Sequence, residues 1–153
     1  MPRRLTLDAW TRALEEQIAA LRPAIDAALE GLGAVIARAA QEKIGEYQSA
    51  AGPFPAWAPL AESTVQQKTR LGYAPPDAPL LRTGDLRTSI SFEASPMALL
   101  VGSDSPIARY QELGTSRIPP RSFLGAAMFE AQPVVIDKLG AALAGVLSMS
   151  ERR

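Results

Sequence analysis

The sequence predicts an α+β domain with N-terminal helices, a small antiparallel β-sheet and a C-terminal helix packed on the sheet. Three observations carry this prediction. Apolar residues recur every three or four positions through the first third of the chain, two strand patterns follow at Thr88–Glu93 and Ala98–Gly102, and a helical pattern returns after Ser122. Helices that flank a block of strands, rather than alternating with single strands, are typical of this class. We therefore expect one domain over residues 1–153.

The first helical region covers residues 5–48. Its apolar positions are Leu7, Trp10, Leu14, Ile18, Leu21, Ile25, Leu29, Leu32 and Ile36. Their mean spacing is close to 3.6 residues, which predicts one amphipathic face. Pro23 lacks a backbone N–H, so we expect a break at Leu21–Pro23 and a second helix beyond it. Gly31 and Gly33 either admit a close neighbour or lie on an exposed face.

Residues 49–79 are predicted to form two loops around a short helix. Ser49–Pro59 and Leu71–Pro79 each contain three prolines, which exclude regular helix and central strand. Glu62–Arg70 between them has the composition of a polar helix. We expect both loops to be flexible segments that become ordered on docking to a partner.

The region 80–121 is predicted to be rich in β-structure. Thr88–Glu93 and Ala98–Gly102 have strand patterns separated by a Ser-Pro turn signal, so they predict an antiparallel hairpin. Before it, Gly84 is expected to adopt a positive φ, with Thr83 or Asp85 capping free N–H groups. After it, we expect a short helix at Ile107–Leu113 that ends at Gly114.

The C-terminal helix is predicted over residues 122–148. Phe123 and Leu124 open it and are expected in the core, and Pro133 is expected to kink or restart it. Pro119 and Pro120 hold the preceding segment extended.

The composition excludes several kinds of function. The chain has 153 residues and neither cysteine nor histidine, so it has no disulfide, thiolate metal site or histidine-dependent catalytic triad. Lysine plus arginine and aspartate plus glutamate each number 16, so the chain lacks the basic excess of a duplex-binding protein. No carboxylate pair has a spacing that enforces a catalytic cleft. We therefore expect no enzyme activity, no cofactor and no metal. No signal sequence or membrane span is expected, which predicts the host cytoplasm before assembly.

Nearly half of the chain resembles the phage virion morphogenesis family, the Mu-type and lambdoid-type tail-completion and head–tail joining (neck) proteins. The resemblance rests on the order and spacing of a few blocks: Trp57-Ala58-Pro59-Leu60, Leu81-Arg82-Thr83-Gly84-Asp85-Leu86-Arg87-Thr88-Ser89-Ile90, Tyr110-Gln111-Glu112-Leu113-Gly114-Thr115 and Ile118-Pro119-Pro120-Arg121-Ser122-Phe123-Leu124.

This resemblance implies a structural protein of a phage, prophage or phage-like particle, located in the virion tail or neck. Such a protein would complete the tail and join it to the head-proximal connector as one subunit of a homo-oligomeric ring, sixfold by family analogy. Its partners would be other copies of itself and the neighbouring tail-tube, tail-terminator and head-connector proteins, with a weak contact to DNA in the lumen. Two alternatives stay open: a helical adaptor or regulatory binding module, and a tail-associated cell-wall hydrolase.

Six residues are the candidate subunit-interface positions: Trp57, Tyr110, Glu112, Thr115, Arg117 and Arg121. Tyrosine and tryptophan are enriched at interfaces, and arginine grips carboxylates there with its planar fork. Four of them have an alternative role outside an interface. Trp57 would anchor its loop to the core, Tyr110 would close the open end of the sheet, and the arginines would be solvated charges at a helix start.

Overall fold

The computed structural model describes residues 6–151 and confirms the α+β class. In chain order it contains α1 (Leu7–Lys43), α2 (Glu62–Arg70), α3 (Asp85–Thr88), β1 (Ile90–Ser95), β2 (Ala98–Ser103), α4 (Pro106–Leu113) and α5 (Leu124–Glu151). The strands form a two-stranded antiparallel hairpin with Phe92 opposite Val101. The predicted helix at Glu62–Arg70 and the predicted hairpin are both confirmed.

Helix α1 is one continuous helix of 37 residues, so the predicted break at Leu21–Pro23 is wrong. Pro23 removes only one helical hydrogen bond, the one to the carbonyl of Ala19. Both residues are exposed, so water can solvate that carbonyl and the helix continues. For the same reason α5 passes through the exposed Pro133 without restarting.

The β-hairpin lies on the C-terminal half of α1, and Gly33 makes this possible. A Cβ atom at Gly33 would stand 2.2 Å from Cδ2 of Phe92 and 2.8 Å from Cδ1 of Leu99. The hairpin therefore occupies the space that a side chain at position 33 would fill. Gly31 has no atom within 4 Å of a built Cβ, so only one of the two predicted glycines admits a neighbour.

Helix α5 runs antiparallel to α1. The C-terminal end of α1 meets the N-terminal end of α5 through the ion pair between Lys43 Nζ and Glu130 Oε2, at 2.7 Å. Further along, buried Leu32 and Ile36 of α1 pack with Ala131 of α5. A larger core lies at the joined ends and contains the fully buried Phe123.

Both predicted loops are held against this body, which differs from the expectation of flexible segments. In the first loop, the N–H of Trp57 donates to the carbonyl of Gln48 at 2.9 Å. In the second, Lys68 Nζ donates to the carbonyl of Ala78 at 2.7 Å, and Pro79 is fully buried. The prolines prevent regular structure, but tertiary contacts still fix one conformation.

Gly84 takes the predicted positive φ, at 94°, immediately before α3. The predicted side-chain cap is absent there. The hydroxyl of Thr83 instead donates to Oδ2 of Asp85 at 2.6 Å.

Candidate functional site

The six candidate residues fall around one junction, where α4 and the segment 114–123 meet the start of α5 and the loop 49–60. Three of them face inward: Trp57 and Arg121 are buried, and Glu112 is half-buried. The other three, Tyr110, Thr115 and Arg117, are exposed. The junction therefore has an inner framework and an outer surface.

Glu112 forms the cap of α5. Its Oε2 accepts hydrogen bonds from the N–H groups of Phe123 and Leu124 at 2.8 and 2.9 Å, and its Oε1 accepts one from Gly125 at 2.8 Å. The hydroxyl of Ser122 also donates to Oε1. The first N–H groups of a helix have no partner within the helix, and a negative charge there is favoured by the helix dipole. Glu112 therefore fixes α4 to the start of α5.

The segment between α4 and α5 is a compact turn. The hydroxyl oxygen of Thr115 accepts hydrogen bonds from the N–H groups of Arg117 and Ile118, at 3.2 and 3.1 Å. Gly114 has a φ of +71°, and a Cβ atom there would lie 2.8 Å from both the carbonyl oxygen of Ile118 and the nitrogen of Pro120. Only glycine suits this position, and the turn leaves the Arg117 side chain exposed.

Arg121 binds the first loop from inside the protein. It is 5% exposed, and its Nη2 donates to the carbonyls of Ala58 and Pro59 at 3.0 and 3.3 Å. Burial lowers the pKa of this guanidinium from its ordinary value, while the charge interaction with Tyr47 opposes that change. Its Nε and the Oε1 of Gln111 are buried without a hydrogen-bond partner among the described residues.

Trp57 is 6% exposed and belongs to the main core with Ile44 and Phe123. Its position corresponds to the predicted loop anchor. Close packing also explains two neighbouring glycines, because a Cβ at Gly52 would overlap the ring of Phe129 and one at Gly125 would overlap Phe54.

Helix α4 presents the outer surface of the junction. Tyr110 is 56% exposed, and the helix also exposes Ile107 and Leu113 at 54% and 68%. Ala108 is the one residue of α4 that is buried. Ile107 and Leu113 were not among the residues predicted from the sequence, although their spacing of three residues on either side of Tyr110 marks one face of a helix. We call Ile107, Tyr110 and Leu113 the α4 patch, and Thr115 and Arg117 follow it directly in the chain.

The described residues, 6–151, contain no group of three or more aspartate or glutamate side chains placed to hold a metal ion. By length and composition, one of their helices could cross a membrane: α5 from Leu124 to Ser148, whose apolar 18-residue stretch is 11% buried. No such segment was expected from the sequence. The exposed apolar side chains of α5 are a second feature that the junction does not account for.

Comparison with known families finds a match. The model of the phage virion morphogenesis family matches residues 5–144, which is most of the chain and includes the junction, both loops and the helix pair. The corresponding comparisons with curated proteins and with solved structures found no match.

Proposed function

Because the chain belongs to the phage virion morphogenesis family, we propose that it completes the phage tail and joins it to the head-proximal connector as one subunit of a ring. The family match over residues 5–144 carries this proposal. It establishes a structural role in building the virion, and the tail-completion role, the ring and the joining to the head are the finer part that we propose. The protein would act by geometry and without catalysis.

The α4 patch is the surface that we assign to neighbouring tail-tube or head-connector proteins. Its three side chains are more than half exposed, yet the helix that carries them is held to the rest of the protein. Glu112 connects its last turn to α5 through four hydrogen bonds, and Ala108 on its inner side is buried. A rigid apolar surface with a tyrosine at its centre suits binding, because little conformational freedom is lost on contact.

The same geometry divides the roles of the two arginines. Arg121 is buried and already donates to two carbonyls, so it would act by holding the loop 49–60 in place. Arg117 is exposed beside the α4 patch. We therefore assign any weak contact with DNA in the lumen to Arg117. Salt would weaken this contact, because it screens the attraction between the guanidinium and the phosphates.

The test is electron microscopy of lysates from the parent phage or prophage with this gene deleted. We expect filled heads separate from tails, or tails of aberrant length, and restoration of joined particles by the wild-type gene. Normal infectious particles at the normal yield would contradict the proposal and favour the adaptor alternative.

Complementation with variants then tests the assigned surface. Tyr110→Asp combined with Leu113→Asp should fail to restore joined particles, because it places charges in the contact. Leu100→Asp is the control, since it places a charge at another exposed apolar position, 69% exposed on β2. All variants should keep the circular dichroism spectrum of the wild type. Full complementation by the double variant would show that the α4 patch is not part of the interface.

A further inference from the structure

Two arginines at the junction have no partner for their charge. The side chains of Arg109 and Arg117 are exposed, and neither forms a hydrogen bond or an ion pair with another residue of the described range, 6–151. Arg109 lies on α4 four residues before Leu113, so these two side chains are neighbours on the helix surface. Arg117 lies in the turn that follows α4. The α4 patch therefore has one free guanidinium on its own helix and a second directly after it.

The acidic residues of the junction are already occupied. From the start of α4 to the end of the segment 114–123, the only acidic residue is Glu112, which accepts four hydrogen bonds at the start of α5. The first acidic residue of α5 is Glu130, which pairs with Lys43. The loop 49–60 contains no charged residue. The junction therefore has a local excess of positive charge, although the whole chain has equal numbers of acidic and basic residues.

Asp104, two residues before α4, is the nearest acidic residue in the chain on the other side. It is exposed, and it lies beside the first turn of α4, where the helix dipole favours a negative charge. The eight residues of α4 span about 12 Å, so Asp104 and Arg117 lie beyond opposite ends of the helix. Asp104 therefore offsets at most one of the two free arginine charges.

We propose that the α4 patch binds an acidic surface of a neighbouring tail-tube or head-connector protein, whose carboxylates pair with Arg109 and Arg117. The inference rests on the proposed function and adds the chemistry of the partner at the same site. An apolar centre with a tyrosine and a charged rim is the usual arrangement of a protein interface. A guanidinium binds a carboxylate through two parallel hydrogen bonds, so each arginine would orient the partner as well as attract it.

An acidic protein surface suits this site better than a DNA backbone does. Arginine also binds phosphates, but protein–DNA contacts are mostly polar and go to phosphate and sugar. Ile107, Tyr110 and Leu113 are 54%, 56% and 68% exposed, and only an apolar surface opposite them would cover them. Arg109 lies next to these side chains, so its partner must lie beside an apolar contact. A carboxylate would neutralise Arg117, so any DNA contact there would be confined to particles in which the partner has not yet docked.

The proposed pairing makes the contact sensitive to salt, with a sign that depends on the charge at positions 109 and 117. Opposite charges attract the partner during its approach, and like charges repel it. Both effects act over the screening length, which falls from about 10 Å at 0.1 M salt to about 3 Å at 1 M. Salt should therefore weaken binding by a positive patch and strengthen binding by a negative one.

A charge series in the full-length protein tests this sign. The purified wild type would be compared with Arg109→Gln plus Arg117→Gln, the glutamine pair, and with Arg109→Glu plus Arg117→Glu, the glutamate pair. Each protein would be added to tails and, separately, to nuclease-treated empty heads from the deletion lysate. Cosedimentation would measure binding between about 50 and 500 mM NaCl.

We expect the wild type to bind one of the two particles and to bind it more weakly as salt rises. The glutamine pair should bind about threefold to thirtyfold more weakly at low salt and depend little on salt, because two exposed ion pairs are lost. The glutamate pair should bind weakest at low salt and recover as salt rises, because screening reduces the repulsion between like charges.

The matched control is Arg22→Glu plus Arg70→Glu, which changes the net charge by the same amount. Both arginines are exposed, on α1 and α2, and form no ion pair within the part of the chain that the structure describes. The control should bind like the wild type, and all variants should keep the wild-type circular dichroism spectrum. Wild-type binding by the glutamate pair, a glutamate pair that does not recover at high salt, or an equal loss in the control would overturn the inference.

Two further measurements test the other occupants. Binding of the wild type to a labelled DNA duplex that is lost in the glutamate pair, without binding to either particle, would assign the arginines to phosphates and overturn the inference. Wild-type dimers in analytical ultracentrifugation that the glutamate pair dissociates would assign the patch to a second copy and also overturn it.

The gene deletion remains an independent test of the proposed function. Separated heads and tails after deletion, with full complementation by the glutamate pair, would leave that function standing and overturn only the acidic partner. Normal particles after deletion would contradict the function itself and the inference that rests on it.

Discussion

Replacing Glu112 by alanine removes the cap of α5 and is the most informative single change within the subunit. The carboxylate accepts three backbone N–H groups and the hydroxyl of Ser122. Loss of a helix cap costs about 0.5–2 kcal/mol, and loss of a favourable charge at the helix N-terminus costs about 0.3–1 kcal/mol. Ser122 and Phe123 are buried, and each buried donor left without a partner adds about 1–3 kcal/mol. We expect Glu112→Ala to lower the free energy of unfolding by about 2–4 kcal/mol.

Urea denaturation followed by circular dichroism at 222 nm measures this loss. Glu112→Gln should lose less, about 1–2 kcal/mol, because the amide keeps one oxygen acceptor but no charge. Glu93→Ala is the control, since Glu93 is exposed on β1, and it should stay close to the wild type. If the free energy of unfolding of Glu112→Ala also remained within about 0.5 kcal/mol of the wild type, the cap would not stabilise α5. Glu112 would then not explain why α4 is held rigidly.

Three further predictions concern positions that the packing defines. Gly33→Ala should destabilise the protein by about 1–3 kcal/mol in the same denaturation assay, because its Cβ would overlap Phe92. Gly31→Ala is the control: this position is in open space, so the change should be neutral or stabilising by up to about 1 kcal/mol. Equal effects of the two substitutions would refute the close contact between Gly33 and the hairpin. Gly114→Ala should destabilise by more than about 1 kcal/mol, since both its positive φ and its Cβ contacts oppose alanine; an unchanged unfolding midpoint would contradict this. Arg121→Met removes hydrogen bonds from a charged group to the loop 49–60, which contribute about 1.5–3 kcal/mol. The loop should therefore open more often, and its cleavage by thermolysin should increase about tenfold or more. Cleavage at the wild-type rate would show that Arg121 does not hold the loop.

The interface candidates illustrate how far residue type alone can lead. Tryptophan, tyrosine and arginine are enriched at interfaces, but they also anchor loops inside a subunit, and the sequence does not distinguish these uses. Burial separates them here: Trp57 and Arg121 hold the first loop from within, and Tyr110 and Arg117 remain on the surface. The interface role of the exposed residues stays a prediction, and the complementation experiment tests it for Tyr110.

The sequence by itself determined the elements whose signal is local. Periodicity located the helical regions of α1 and α5, although a break in α1 was wrongly expected at Pro23. Alternation in the first strand and an apolar run after a Ser-Pro turn located the hairpin, and the blocks from Trp57 to Leu124 indicated the family that the match over residues 5–144 then established. These signals depend on neighbours within a few positions along the chain, so they can be read without knowing the fold.

Only the tertiary structure decided the features that depend on residues distant in sequence. Whether Pro23 breaks α1 depends on whether water or protein surrounds the freed carbonyl. Glu112 acts as a cap because folding brings α4 to the first turn of α5. The apolar face of α1 is buried where α5 accompanies it and exposed where α5 has ended, although the periodicity is the same throughout. Amphipathic spacing specifies that a face needs a partner, and the relative lengths and positions of the packed helices determine which part of that face remains exposed.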